Sequence, residues 1–169
     1  MGDASTLRLR PASLYAVGEE VVLIPFTIVG LAREAEALGM PWKLKREFHV
    51  TALTAERVGA WSEVEAELTR HEIGEVVLLT DQLRLVRKDD NRTIVAMAEV
   101  SGLDDLYAAL STRLGEEIQP PPAHVTLYTN PGGEGIGLHD AQDLHELTRE
   151  LSESEVSEVR RATGLDRLG

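Results

Sequence analysis

Two tripeptides carry the residue types that could do chemistry in this chain: His49-Val50-Thr51 and His124-Val125-Thr126. They take up two of only 5 histidines and stand a little under half the chain length apart. In an extended strand, residues i and i+2 project to the same face. His49 then shares a face with Thr51, and His124 with Thr126. The opposite face is apolar in both copies: Phe48, Val50 and Ala52 in one, Ala123, Val125 and Leu127 in the other. A sheet would bury that face and leave the His/Thr face to a cleft. Two imidazoles and two hydroxyls converging there suit phosphoryl transfer without a metal. A neutral imidazole can take a proton from water, and a protonated one can give a proton to a departing ribose oxygen; both forms are accessible near neutral pH. The threonine hydroxyls can donate hydrogen bonds to non-bridging phosphoryl oxygens and stabilise charge there. Tyr128, at i+4 from His124, is placed by the same alternation on the face of His124 and Thr126, where it could bond a phosphate or stack on a base. Leu53 holds the equivalent place in the first copy.

The elements that must position these residues are legible in outline. Apolar stretches Leu14–Val17 and Val21–Val29 around Gly18 predict a strand or hairpin. Ala and Glu at helical spacing predict a helix over 31–38, with Gly39 as its C-cap and Pro41 confirming the stop. Glu47–Leu53 reads as a short strand. Thr54 suits the cap of a turn, and Ser62 the N-cap of an acidic helix running to about His71, with Gly74 after it. Val76–Val86 and Thr93–Val100 are β-rich runs joined by the polar link 87–92, a hairpin. Leu103, Leu106, Leu110 and Leu114 mark an amphipathic helix closed by Gly115. Pro120-Pro121-Pro122 leads rigidly into a strand over 123–129. Gly132, Gly133, Gly135 and Gly137 suggest a mobile flap beside the second motif; no Gly-Lys-Ser/Thr follows, so it is not a phosphate loop of the Walker type. A polar helical pattern over 139–163 has Leu144, Leu147 and Leu151 as its apolar stripe. Each half thus holds a helix followed by a His-Val-Thr strand, as in an internal duplication. The expected domain layout is a two-lobed body over 1–138, with the first motif in 14–75 and the second in 76–138, and an acidic helical tail over 139–169.

Composition bounds the partners. Hydrophobic residues make up 43% and charged residues 27%, enough for a real core, and the net charge is −12. An acidic body is a poor nonspecific nucleic-acid binder, because affinity for phosphate backbones comes largely from Lys and Arg. A small anionic substrate needs only local positive potential. Lys43, Lys45 and Arg46 stand just before the first motif, and Arg84, Arg87, Lys88 and Arg92 surround the predicted hairpin. There is no long apolar run for a membrane span. With no cysteine there is no disulfide or thiolate metal site, and cytoplasmic residence is the default. Trp42 and Phe48 read as packing residues. His71 reads as a cation at a helix C-terminus. His139 and His145, six apart, would fall on different faces of a helix and make a poor chelate.

Paired His-x-Thr motifs on strands, together with the hairpin, helix, proline-rich and His-Val-Thr run over 76–129, resemble the two-histidine (2H) phosphoesterase superfamily, which includes RNA 2′,3′-cyclic phosphodiesterases, also called 2′–5′ RNA ligases. The resemblance covers roughly residues 14–130. It implies an α+β fold of two duplicated lobes, with antiparallel sheets lining a central cleft and helices outside. It also implies His49 and His124 as the acid–base pair, Thr51 and Thr126 as phosphate-holding groups, and no metal or other cofactor; it leaves open which histidine is acid and which is base, and the working choice is His124 as base and His49 as acid. The implied activity is hydrolysis of a 2′,3′-cyclic phosphate or related phosphodiester by a cytoplasmic monomer. The acidic charge and the tail depart from RNA-directed members and favour a nucleotide-sized substrate over an RNA end. A non-catalytic nucleotide or RNA-end binding module and a 2′–5′ ligase are the alternatives.

Overall fold

The computed structural model describes residues 5–11, 15–17, 21–54 and 61–168. The chain is an α+β fold in which every pairing among the described strands is antiparallel. The strands are β1 (Thr6–Leu9), β2 (Tyr15–Val17), β3 (Val21–Phe26), β4 (Glu34–Ala37), β5 (Met40–Leu44), β6 (Phe48–Thr54), β7 (Val76–Lys88), β8 (Asn91–Val100), β9 (His124–Thr129) and β10 (Thr148–Glu150). The described helices are α1 (Trp61–Leu68), α2 (Leu103–Leu114), α3 (Ala141–Leu147) and α4 (Glu153–Thr163). One sheet runs β1-β7-β8-β9-β5-β4, with β10 also on β7; the other runs β2-β3-β6. The first His-Val-Thr strand, β6, therefore sits in the small sheet and the second, β9, inside the large one.

The expected hairpin near the start is present as β2 and β3; Gly18 lies outside the described residues. The expected helix over 31–38 is not: the segment forms the β4–β5 hairpin instead. Its turn is Leu38-Gly39, both at positive φ (56° and 73°), the backbone of a two-residue turn matched to strand twist. Burial alternates along Glu34–Ala37 with period two, so Ala35 and Ala37 face inward. Trp42, 1% exposed, fills the hairpin's inner face and donates from Nε1 to the Ala37 carbonyl at 2.9 Å. Pro41 is tolerated because β9 pairs with β5 only at Lys43 and Leu44, so no ladder bond is lost there.

The long hairpin extends further into its polar link than the sequence predicts. Arg87 pairs with Arg92 and Lys88 with Asn91, leaving Asp89-Asp90 as the turn. Helix α2 spans Leu103–Leu114 and ends at Gly115 in the left-handed conformation, as expected. Ser62 lies inside α1 rather than capping it, and the helix ends at Leu68; the turn expected after Thr54 lies outside the described residues. His71, past that end, faces Glu67 at 3.1 Å. Arg113 ties α2 to α1 by bonding Glu63 and Glu67. The segment beyond 139 is α3, a short strand and α4. Strand β10 adds to β7 at Arg84–Val86, and α4 packs on β4 through Leu38 N–H to Glu158 at 3.2 Å. Among the described residues no helix is long and apolar enough to cross a membrane.

Candidate active site

Each His-Val-Thr strand pairs regularly up to its threonine and then breaks register. On β6, Leu23 pairs with Thr51 but Val22 pairs with Leu53, which leaves Ala52 as an extra residue. On β9, Val95 pairs with Thr126 but Ile94 pairs with Tyr128, which leaves Leu127 extra. The two bulges fall at the same place, one residue after each threonine. A bulge inverts the side-chain alternation beyond it. Leu53 and Tyr128 therefore turn into the core, at 0% and 1% exposure, while both His/Thr pairs stay at the surface of their sheets.

The bulge carbonyls find partners off the ladder. Ala52 O accepts from the Tyr107 hydroxyl of α2 at 2.6 Å, and Leu127 O accepts from the Lys45 N–H at 2.9 Å. Tyr107→Phe removes the first of these donors from a buried carbonyl. The expected cost is about 1–2 kcal/mol, a drop in Tm of roughly 3–6 °C, measurable by thermal unfolding; an unchanged Tm would mean the bulge stands without it.

The four motif side chains meet. His49, Thr51, His124 and Thr126 line one cleft of about 290 Å³, walled also by Lys45, Glu47, Pro121, His139 and the loop Gly135–Leu138. The loop is pinned beside the site by Ile136 and Leu138, both buried against Val86 and Val95. Tyr128 does not join the cleft. Beyond the bulge its hydroxyl donates to the Ala32 carbonyl at 2.6 Å, and burial pushes its pKa up to about 12. The expectation that i+4 stays on the His124 face fails at that one extra residue. Trp42 and Phe48 are core residues, as their type suggests.

Electrostatics separates the two imidazoles. His124 Nδ1 lies 2.8 Å from the Pro122 carbonyl, which can only accept, so the ring proton sits on Nδ1 and Nε2 keeps its lone pair. Burial lowers the His124 pKa, the carbonyl bond partly offsets this, and the fields of His49 and His139 lower it further. Burial also lowers the His49 pKa, helped by Lys45 and opposed by Glu47. Both imidazoles are thus held towards their neutral forms.

Sequence reasoning missed Lys45 and His139. Lys45 was visible as a cation near the first motif, but its tie to β9 was not. The polar pattern over 139–163 puts His139 on a helix; it instead precedes α3, caught between Asp143 (3.2 Å from its Nδ1) and the cleft. Among the described residues no three His, Asp or Glu side chains cluster as a metal site. No family model, curated protein or solved structure matches the chain.

Proposed function

We propose that the protein is a phosphodiesterase that opens a 2′,3′-cyclic phosphate, or a related nucleotide phosphodiester, by acid–base catalysis between two histidines. The observation that carries this reading is the convergence of both His/Thr pairs, from strands of different sheets with matching bulges, on one cleft. His124 is the base: its free Nε2 takes a proton from water as the water oxygen bonds to phosphorus. His49 is the acid and protonates the ribose oxygen as its bond to phosphorus breaks; Glu47 offsets only part of the burial and of the Lys45 field that lower its pKa. Thr51 and Thr126 donate hydrogen bonds to the non-bridging oxygens. The product is a phosphomonoester. This reading keeps a nucleotide-sized substrate, a monomer and a cytoplasmic setting, with neither metal nor cofactor required.

The test is turnover of nucleoside 2′,3′-cyclic phosphates by the full chain in EDTA. Activity should persist there, and kcat/KM should follow a bell in pH. Because burial lowers both imidazoles, each limb shifts the same way, and the optimum should fall below about pH 6.5. Activity falls above the bell as the acid loses its proton, and below it as the base gains one. A profile flat between about pH 5 and 8 would remove the histidines from proton transfer. Tight binding of a cyclic phosphate that is never cleaved would replace the enzyme with a binding module.

A further inference from the structure

On the far side of His49 lies a second and larger cavity, of about 850 Å³. It shares Lys45, Glu47 and His49 with the catalytic cleft and adds Arg33 and Arg46. Its walls include Phe26, Ile28 and Phe48, three apolar residues each under 10% exposed.

The cations are what make this cavity unusual. The chain carries 29 Asp and Glu against 17 Lys and Arg, so carboxylates are in ample supply. Arg8, Arg70, Arg84, Arg113 and Arg149 each pair with one. Arg33, Lys45 and Arg46 form no ion pair among the described residues, a state they share with Lys43, Arg87, Lys88 and Arg92, but these three line one hollow. Glu47 is the only carboxylate among its described lining residues, which hold three cations against one anion. A concentrated positive potential inside an acidic body is the local arrangement that draws a small anion and leaves polymeric nucleic acid unbound.

Backbone bonds fix the segments that carry Arg33 and Lys45. The Lys45 N–H is fixed to the β9 bulge at Leu127, and the Leu44 N–H to the Arg33 carbonyl at 2.9 Å. The neighbouring Ala32 is held twice, by the Tyr128 hydroxyl on its carbonyl and by Thr163 O on its N–H. Lys45 also reaches towards the glycine loop: its Nζ lies 3.7 Å from where a side chain at Gly135 would begin. It stands on the ridge between the two hollows.

We propose that the second cavity is a subsite for a further phosphate of the substrate, carried on the same nucleotide whose diester lies between His49 and His124. The inference rests on the phosphodiesterase reading and names its substrate class: a nucleotide with a terminal phosphate besides the cyclic one. Arg33 and Arg46 engage the terminal phosphate through their planar forks, which match phosphate oxygens. Lys45 lies between both phosphates. The apolar wall accepts the ribose and base that connect them, and the cavity volume lies within the range of small-ligand sites.

The experiment compares a nucleoside 2′,3′-cyclic phosphate with its 5′-phosphorylated counterpart, using the full chain and its Arg33→Ala/Arg46→Ala double variant. Wild type should favour the 5′-phosphorylated substrate by roughly tenfold or more in kcat/KM, mainly through KM, and the preference should shrink as salt rises. In the double variant the ratio should fall towards one. Equal kcat/KM for both substrates in wild type, or an undiminished preference in the variant, would overturn the subsite. Calorimetry with a nucleoside 2′-phosphate and the matching 2′,5′-bisphosphate asks the same question without chemistry. Should neither cyclic substrate be cleaved, the phosphodiesterase reading fails, and the subsite stands or falls on whether wild type prefers the bisphosphate and the variant does not.

Discussion

If the protein is the phosphodiesterase proposed above, His49→Ala and His124→Ala should each lower kcat on a nucleoside 2′,3′-cyclic phosphate by about 10²- to 10⁴-fold, the usual contribution of a positioned acid or base. The double variant loses little more than the worse single one, because acid and base act on one transition state and their effects do not add. Each variant should fold. Both rings are only partly buried, and neither belongs to the hydrophobic core, so thermal unfolding should stay close to wild type. His124→Ala frees the Pro122 carbonyl at the cleft edge, where water can take over the bond. The loss must therefore show in kcat and not in folded protein. Full activity in both single variants would end the acid–base assignment. A loss confined to KM would leave the site as a phosphate-binding pocket without the proton transfers.

Gly102→Ala has the largest expected effect on stability. Gly102 precedes α2 at φ 91°, a conformation that an L side chain rarely adopts. A Cβ there would stand 2.4 Å from the Glu72 carbonyl oxygen, a backbone atom with no flexible end to move aside. Strain and clash together should cost about 3 kcal/mol or more, lowering Tm by roughly 6–12 °C for a chain of this size. Gly39→Ala is the matched control. It has a positive φ too, 73°, but open space where the Cβ would go, so it bears strain alone and should cost about 1–2 kcal/mol. Equal losses at the two positions would mean that the Glu72 contact relaxes freely. The substitution at 102 reaches the cleft as well, since α2 carries Tyr107 and Tyr107 holds the bulge behind Thr51.

The α+β class, the long hairpin, α2 and both motif strands could be read from the residues, because each carries strong periodicity, bounded by Gly or Pro in all but the first motif strand. Residues 31–39 could not. Ala and Glu favour helices, and a glycine with positive φ closes a helix as readily as it turns a hairpin. The burial of Trp42 over Ala37 decides between them, and that contact is tertiary. The cleft was legible at its centre, where strand alternation places His and Thr together. It was illegible one residue further on. Nothing about Ala52 or Leu127 as residue types announces a bulge, so simple alternation puts Tyr128 on the face opposite to the one it takes. Lys45 and His139 enter the site through a backbone bond to β9 and through the path of a loop. The short β10 was hidden in a polar stretch of helical pattern, as strands that complete an existing edge often are, since their partner supplies the pairing.

The twin bulges also separate what each strand does for the core from what it does for chemistry. A regular strand ties the two together: its phase at one end dictates which way every later side chain points. Here the phase is reset at Ala52 and again at Leu127, so packing beyond those points places no condition on the face before them. The direction of each His/Thr face is set by its own buried Val50 or Val125, and not by Leu53 or Tyr128 further along. The same independence makes each unit vulnerable to a change of length. Deleting Ala52 or Leu127 would set one end of its strand against the other, forcing either the histidine and threonine inward or the buried Leu53 or Tyr128 out into the cleft.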